Sequence, residues 1–154
     1  MTKSPSSSAE RISRECLGMP LRMLHRAVSA VYDEALSEHG VGIAQLNLLV
    51  AVERLGDRAT PSLVSRVLML EKSSVSREVD RLIERRWMTR SCGEGRSQRL
   101  ALTIHGRRLI DAALPSWEAA QVRVRALVGD AGADQLRSMV ERLRVGSPPA
   151  PSEP

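Results

Sequence analysis

The fold of this chain is decided by the stretch Ser73-Ser74-Val75-Ser76-Arg77-Glu78-Val79-Asp80-Arg81-Leu82-Ile83-Glu84. On a helical wheel its four apolar residues share about a third of the circumference, which predicts an amphipathic helix with one buried stripe. The opposite face carries hydroxyl and guanidinium groups. Hydroxyls allow close approach to DNA phosphates, and Arg can reach guanine edges in the major groove. The alternative is a solvated face held by Arg77–Asp80 and Arg81–Glu84 ion pairs.

A shorter helix is predicted directly upstream. Thr60 is a good N-cap and Pro61 a good first helical residue. Leu63, Val64 and Val67 then supply an apolar face. The connection Leu68-Met69-Leu70-Glu71 leads into the amphipathic stretch, and two helices joined in this way indicate a helix-turn-helix.

A basic β-hairpin is predicted after the second helix. The hairpin consists of strands 87–92 and 98–102 around Gly93-Glu94-Gly95-Arg96-Ser97. The second strand alternates, with Leu100 and Leu102 inward, whereas the first is ambiguous because Met88 shares its face with Arg90. A hairpin carrying Arg90, Arg96 and Arg99 beside a recognition helix is typical of a wing, whose Arg suits the narrow minor groove.

The charge distribution supports a polyanionic partner. The chain of 154 residues has a formal net charge of +5, whereas residues 85–108 alone hold seven Arg and one Glu, a net charge of +6. A positive charge concentrated in this way favours nucleic acid. Phe is absent and aromatic residues total 2%. We therefore expect an aliphatic core and no stacking platform for single-stranded nucleic acid.

Further helices are predicted on both sides of this unit. The first spans about 10–17 and is interrupted by Gly18-Met19-Pro20, the second spans about 20–39 with Gly40 as a left-handed cap, and the third spans 42–55 with Leu46, Leu49, Val50 and Val52 facing in. Thr103 caps a helix that runs to about Leu127 and is kinked at Pro115, and a last helix follows Gly129-Asp130.

The terminal helices have apolar stripes that are expected to be buried. A second copy of the chain could bury them without any other protein. We therefore predict a homodimer whose interface is formed by residues 17–31 and 117–143. Its two recognition helices would lie roughly 34 Å apart, about one helical turn of DNA. The alternative is an intramolecular helical bundle. The expected dimer residues are Leu17, Leu21, Leu24, Val28, Trp117, Val124, Leu136 and Val140.

The predicted fold class is therefore mainly α with a small β-hairpin wing, a winged helix-turn-helix flanked by N- and C-terminal dimerisation helices. The expected divisions are a disordered tail 1–8, dimerisation helices 9–40, a DNA-binding domain 41–103, dimerisation helices 104–145 and a disordered tail 146–154. The expected DNA-binding residues are Lys72, Ser73, Ser74, Ser76, Arg77, Arg81, Arg90, Arg96, Ser97 and Arg99.

With these elements in this order, the chain resembles the MarR family of bacterial transcription regulators. The resemblance rests on the stretch 73–82, on Glu94-Gly95-Arg96 and on Leu100-Ala101-Leu102-Thr103, with Gln45 and the run 114–117 in addition. The chain departs from the family pattern at three positions: Glu94 replaces an Asp, Arg86 a Gly, and Glu71 a Ser or Asp cap. The resemblance implies a homodimer on pseudo-palindromic double-stranded promoter DNA, usually a repressor released by a small ligand or an oxidant. The effector pocket, between the dimer helices and the winged domain, is expected to be aliphatic and to suit a small hydrophobic molecule.

Other chemistry finds little support in the sequence. The three His and two Cys lack metal-ligand spacing, and we expect no metal, no cofactor and no enzymatic activity. Cys16 is a possible redox residue, because Arg11, Arg14 and Arg22 favour a thiolate and some family members sense hydroperoxides with a Cys; a buried structural Cys is the alternative. No membrane-spanning run or signal peptide is evident, so we expect a cytoplasmic protein. Two other functions remain open, a helical adaptor for a protein partner and a sequence-blind architectural DNA binder.

Overall fold

The computed structural model describes residues 7–92 and 98–146. Its elements, in chain order, are α1 (Ser7–Glu15), α2 (Gly18–Leu36), α3 (Ile43–Leu55), α4 (Pro61–Leu68), α5 (Lys72–Glu84), β1 (Met88–Cys92), β2 (Gln98–Leu102), α6 (Ile104–Val128) and α7 (Asp130–Gly146). Short 3₁₀ turns, Ser37–His39 and Gly56–Arg58, follow α2 and α3. The predicted fold class, mainly α with one hairpin, is confirmed. Of the two expected tails, residues 1–6 and 147–154 lie outside the described residues, and Ser7, Ser8 and Gly146 are helical.

The predicted interruption at Gly18-Met19-Pro20 is wrong by two residues. The chain breaks at Cys16 and Leu17, and Gly18 to Pro20 form the first turn of α2. Pro20 is tolerated there because the first N–H groups of a helix have no intrahelical acceptor. At the other end, Gly40 has φ 65° and donates to the carbonyl of Ser37 at 3.0 Å, as its left-handed cap position requires.

The core consists of two neighbouring clusters. The first joins α3, α4, α5 and the hairpin, and its buried members include Leu48, Leu49, Val52, Val64, Val79, Leu82, Met88 and Leu100. The second joins α2, α3 and α6 through Tyr32, Leu36, Leu46, Ala113, Ala120 and Val124. Trp87, Leu109 and Ile110 pack against both clusters. The expectation for α3 is wrong at Val50, which is exposed, because this helix lies between the two clusters and buries Leu48 instead.

The hairpin is antiparallel, with Met88 opposite Leu102 and Arg90 opposite Leu100. The predicted alternation of β2 is confirmed, since Leu100 and Leu102 are buried. The amide of Leu100 also donates to the carbonyl of Ala59 at 2.9 Å, which attaches β2 to the chain before α4. Strand β1 begins at Met88 and not at Trp87, because the amide of Trp87 closes the end of α5 by donating to Leu82.

The start of α6 is anchored to the end of α5. Thr103 is the predicted N-cap: its Oγ1 accepts from Gly106 at 3.1 Å and donates to the carbonyl of Arg86 at 2.7 Å. Gly106 leaves no room for a side chain, since a Cβ there would lie 2.1 Å from the carbonyl oxygen of Trp87. Helix α6 continues through Pro115 to Val128.

Within the described part of the chain, none of the helices has by itself the length and apolar content of a membrane span. A pair of helical segments, 18–39 and 43–58, meets those two criteria jointly but is bent by 77°.

Candidate nucleic-acid interface

Helices α4 and α5 are joined by a tight turn. The hydroxyl of Thr60 caps α4 as predicted and accepts from Leu63 at 3.1 Å. The helix ends at Met69, which has the left-handed φ of 53°, and the amide of Leu70 donates back to Ser65 at 2.9 Å. The buried hydroxyl of Ser65 donates in turn to the carbonyl of Leu70 at 2.6 Å. These bonds set the direction in which α5 leaves the turn.

Helix α5 is amphipathic as the sequence predicts. Val75, Val79 and Leu82 are at most 1% exposed, and Ile83 packs against the same cluster. The opposite face is open to solvent, and its exposed members include Lys72, Ser73, Ser74, Ser76, Arg77 and Arg81. All six expected DNA-binding residues of this helix therefore lie on one accessible face.

The ion pairs on this face differ from the expected ones. Asp80 pairs with Arg90 of the hairpin at 2.7 Å, and Arg81 pairs with Glu78 at 3.1 Å. The guanidinium of Arg77 makes no hydrogen bond or ion pair with any group in the described residues. The Arg77–Asp80 and Arg81–Glu84 pairs of the solvated-face interpretation are thus wrong, and the Arg77 guanidinium is available to a partner.

The basic residues of the hairpin fall on two different faces. Arg90 shares the inner face with Leu100 and bonds to Asp80 of α5, which resolves the ambiguity of β1. Arg99 lies on the outer face, where it donates to the carbonyl of Asp57. Arg90 is therefore grouped with the polar face of α5, whereas Arg99 is directed away from it. Arg96 and Ser97, expected at the wing tip, lie outside the described residues.

Two hydrogen bonds that attach α5 and its C-terminal end to the rest of the chain are not predicted by the sequence patterns. Arg85 donates to the carbonyl of Gly40, and its guanidinium lies 4.8 Å from the centre of the Trp87 ring. Gln45 of α3 donates to the carboxylate of Glu78 at 2.6 Å. The hydrogen bonds Arg85–Gly40 and Gln45–Glu78 join residues 45 and 33 positions apart, so no local pattern in the sequence indicates them.

A cavity of about 640 Å³ lies between α2, α3 and α6, beside the turn that leads into α5. Val28, Ile43, Leu68 and Leu70 form its aliphatic part. The expectation of an aliphatic lining is incomplete, because Tyr32 and Trp117 also face it, with stacked rings 6.4 Å apart, as do the polar side chains of His25 and Asp33. Burial raises the pKa of Tyr32, which Arg137 lowers in part, and its hydroxyl donates to Gln121.

The expected dimer residues divide into two groups. Leu17, Leu21 and Val140 are exposed, by 74%, 58% and 41%, and Leu24 and Leu136 are partly exposed. Val124 belongs to the second core cluster, and the partly buried Val28 and Trp117 pack against it within the single chain. They face inward because α2 and α6 pack against each other within one chain.

Cys16 is exposed at the bend between α1 and α2 of the single chain. Cys92 is exposed as well. Across residues 7–92 and 98–146, no group of three His, Cys, Asp or Glu side chains is placed to hold a metal ion.

Residues 39–97, from the last residue of the 3₁₀ turn after α2 to the hairpin connection, match the model of the MarR family. No protein with a curated description matches the chain. Three solved structures show how far the likeness extends. The DNA complex of the transcriptional regulator MosR from M. tuberculosis is 25% identical, with a TM-score of 0.74 over 84% of this chain and 94% of that one.

The second structure is a mutant of MarR from E. coli complexed with operator DNA, at 17% identity, a TM-score of 0.75, and coverage of 86% and 96%. The third is CouR from Rhodococcus jostii RHA1 bound to p-coumaroyl-CoA, at 24% identity, a TM-score of 0.73, and coverage of 88% and 96%. These two likenesses show the fold alone. The predicted resemblance to the MarR family is confirmed, and the matched family consists of transcription regulators, not enzymes.

Proposed function

We propose that this chain is a transcription regulator of the MarR family that binds double-stranded promoter DNA through α5 and the hairpin. The observation that carries the proposal is the face of α5, where hydroxyls and two Arg are exposed opposite a fully buried stripe. A helix of this kind fits the major groove, with Ser groups near phosphates and Arg near base edges. The match of residues 39–97 to the family model supports the same function.

In this proposal the contacts divide by chemistry. Arg77 and Arg81 contact base edges, and the residues that approach phosphates are Lys72, Ser73, Ser74, Ser76 and Arg90. Arg96 and Ser97 at the hairpin tip, together with Arg99, stay predictions for minor-groove or backbone contact. Phosphate contacts make affinity fall steeply with salt, whereas base contacts distinguish one sequence from another.

The test is selection of fragments from the source genome at a stated salt concentration, followed by binding measurements on the selected site. Enrichment of one pseudo-palindromic sequence, with affinity that depends on both salt and sequence, is the expected result. A steep salt dependence without sequence preference would favour the architectural DNA binder. Absence of both dependences would contradict DNA binding and favour the adaptor.

We propose further that the regulator is a cytoplasmic homodimer. Apolar residues of α1, α2, the bend between them and α7 are exposed, among them Ile12, Leu17, Leu21, Met139 and Val140, and a partner surface would bury them. A two-fold dimer places equivalent recognition helices roughly one turn of DNA apart, about 34 Å.

The cavity is the proposed site of a small hydrophobic effector that releases a repressor from DNA. Tyr32 and Trp117 suit a flat apolar group, and His25 and Asp33 suit a polar end. Because Leu68 and Leu70 of the turn before α5 line the same space, an occupant would contact the element that positions the recognition helix. The neighbour CouR is bound to p-coumaroyl-CoA, a ligand with an aromatic acyl group.

An oxidant acting at Cys16 is the alternative trigger. The thiol is exposed, so its rate of reaction with iodoacetamide across pH measures its pKa directly. A value near or above about 8.5, the ordinary value for Cys, would contradict a redox role.

A further inference from the structure

Gln45 is held at both ends of its side-chain amide. Its Oε1 accepts from the backbone amide of Gly42 at 3.4 Å, and its Nε2 donates to Oε1 of Glu78 at 2.6 Å. The amide can satisfy both bonds in only one orientation, because a carboxylate accepts and a backbone N–H donates. Gln45 is therefore a fixed donor directed from α3 at the recognition helix.

Glu78 links Gln45 to Arg81, a side chain on the face of α5 that is proposed to contact DNA. Its Oε2 accepts from Nη1 of Arg81 at 3.1 Å, while its Oε1 is occupied by Gln45. The Glu78 side chain is 21% exposed and that of Arg81 is 67% exposed. The hydrogen-bonded chain Gln45–Glu78–Arg81 thus leads from a partly buried carboxylate to a guanidinium in solvent, about one turn further along α5.

The first turn of α3, which contains Gln45, also borders the cavity. Asp33 of α2 accepts from the backbone amide of Ile43 at 2.7 Å and so caps the first turn of α3. Asp33 and Ile43 both line the cavity. The turn that fixes Gln45 is therefore also part of the cavity wall.

We propose that Gln45 is a positioning residue for DNA recognition, which acts through Glu78 to hold the Arg81 guanidinium in the orientation that contacts a base. The inference rests on the proposed DNA-binding function and adds a determinant of its specificity. Arg carries several rotatable bonds, and a fixed carboxylate reduces the rotamer freedom lost when the guanidinium binds. Without Gln45, the carboxylate of Glu78 can rotate more freely. The Arg81 guanidinium, which is bound to this carboxylate, then samples more orientations.

The experiment is a double-mutant cycle on the operator selected with the parent protein. Gln45→Leu keeps the approximate side-chain size and removes both hydrogen bonds of the amide, to Glu78 and from Gly42. We expect the ratio of operator affinity to unrelated-DNA affinity to fall roughly tenfold, within the range for residues of one hydrogen-bonded network. We also expect the Gln45→Leu/Arg81→Ala protein to bind no more weakly than Arg81→Ala alone. Independent, additive losses would overturn the inference, because a purely structural role of Gln45 would persist without Arg81.

Glu78→Gln and Glu84→Gln form a matched pair of variants. Each removes one negative charge from α5, but Glu84 has no partner among the described residues. Both changes should tighten binding to unrelated DNA equally, whereas only Glu78→Gln should reduce the operator preference. Equal preferences in the two variants would overturn the inference. If Gln45→Leu fails to fold, this pair of variants still tests whether Glu78 orients Arg81 for operator recognition.

A measurement without DNA separates this inference from the proposed function. The rotation of the Arg81 guanidinium in the free protein can be followed by NMR relaxation of its Nε–H group. We expect slower rotation in the parent than in Gln45→Leu, and equal rates would overturn the inference. If the parent protein selects no DNA sequence, the proposed function fails, and the NMR comparison alone decides whether Gln45 constrains Arg81.

Discussion

Arg86 is one of two residues other than Gly with a positive φ in the described chain, at 60°. It lies just beyond α5, where its amide donates to Ile83 at 2.8 Å and that of Trp87 donates to Leu82 at 3.0 Å. This pair of bonds is the Schellman termination, in which Gly is usual because an L side chain is strained there. Arg86 therefore holds a backbone conformation that Gly would adopt without this strain.

Replacing Arg86 by Gly should raise the free energy of unfolding by about 1 kcal/mol, since the strain of a side chain in the left-handed region is removed. Urea unfolding of the parent and the variant measures this difference. Arg86→Ala is the control, because it removes the same charge but keeps the Cβ. If both variants are stabilised equally, the increase in the free energy of unfolding comes from the lost charge repulsion with Arg85 and not from relieved backbone strain.

Arg77 is the guanidinium of the α5 face that no group among the described residues engages. Arg77→Ala should therefore cost operator binding about 1–3 kcal/mol and leave stability unchanged, since a base contact is lost and no internal bond is broken. Titration of labelled operator and of unrelated DNA measures both affinities. Equal loss on both DNAs would assign Arg77 to phosphate contact.

At the scale of elements, the junction of α6 with the hairpin depends on close backbone contact. A Cβ at position 106 would lie 2.1 Å from the Trp87 carbonyl oxygen. Gly106→Ala should lower the free energy of unfolding by about 1–3 kcal/mol, because the helix start must move away from the hairpin. Thermal unfolding checks this. Gly132→Ala in α7 is the control: its Cβ would meet Val128 at an ordinary 3.7 Å, and Ala favours a helix, so no loss of stability is expected.

How far the elements could be predicted depends on the range of the interactions that define them. The caps at Thr60 and Thr103, the stripe of α5 and the alternation of β2 are local patterns, and each is confirmed. The bonds Gln45–Glu78 and Arg85–Gly40 depend on how α3 and the turn before it lie against α5 and its C-terminal end, for which the sequence contains no local sign. The inward packing of Trp117 and Val124 was missed for the same reason, because periodicity marks an apolar face but does not identify what covers it.

At the scale of the whole molecule, the winged unit and the flanking helices share one continuous core through Trp87, Leu109 and Ile110. Because Leu109 and Ile110 lie on α6, a movement of this helix would change the packing of both clusters. The single chain still leaves Leu17 and Leu21 in solvent, just before α2 and in its first turns. The proposed dimer would cover these residues and would fix the distance between the two recognition helices.

Leu21→Glu should convert this dimer into a monomer, because it would bury an unpaired carboxylate in an apolar interface. Sedimentation equilibrium should then give the mass of one chain, and operator affinity should fall about a hundredfold, since two linked half-site contacts become independent. Val50→Glu places the same charge at another exposed apolar residue, on α3, and should leave mass and affinity unchanged. A Leu21→Glu protein that remains dimeric would exclude α2 from the interface. A monomer with full operator affinity would instead show that one winged unit suffices for recognition and that the two-fold spacing plays no part in it.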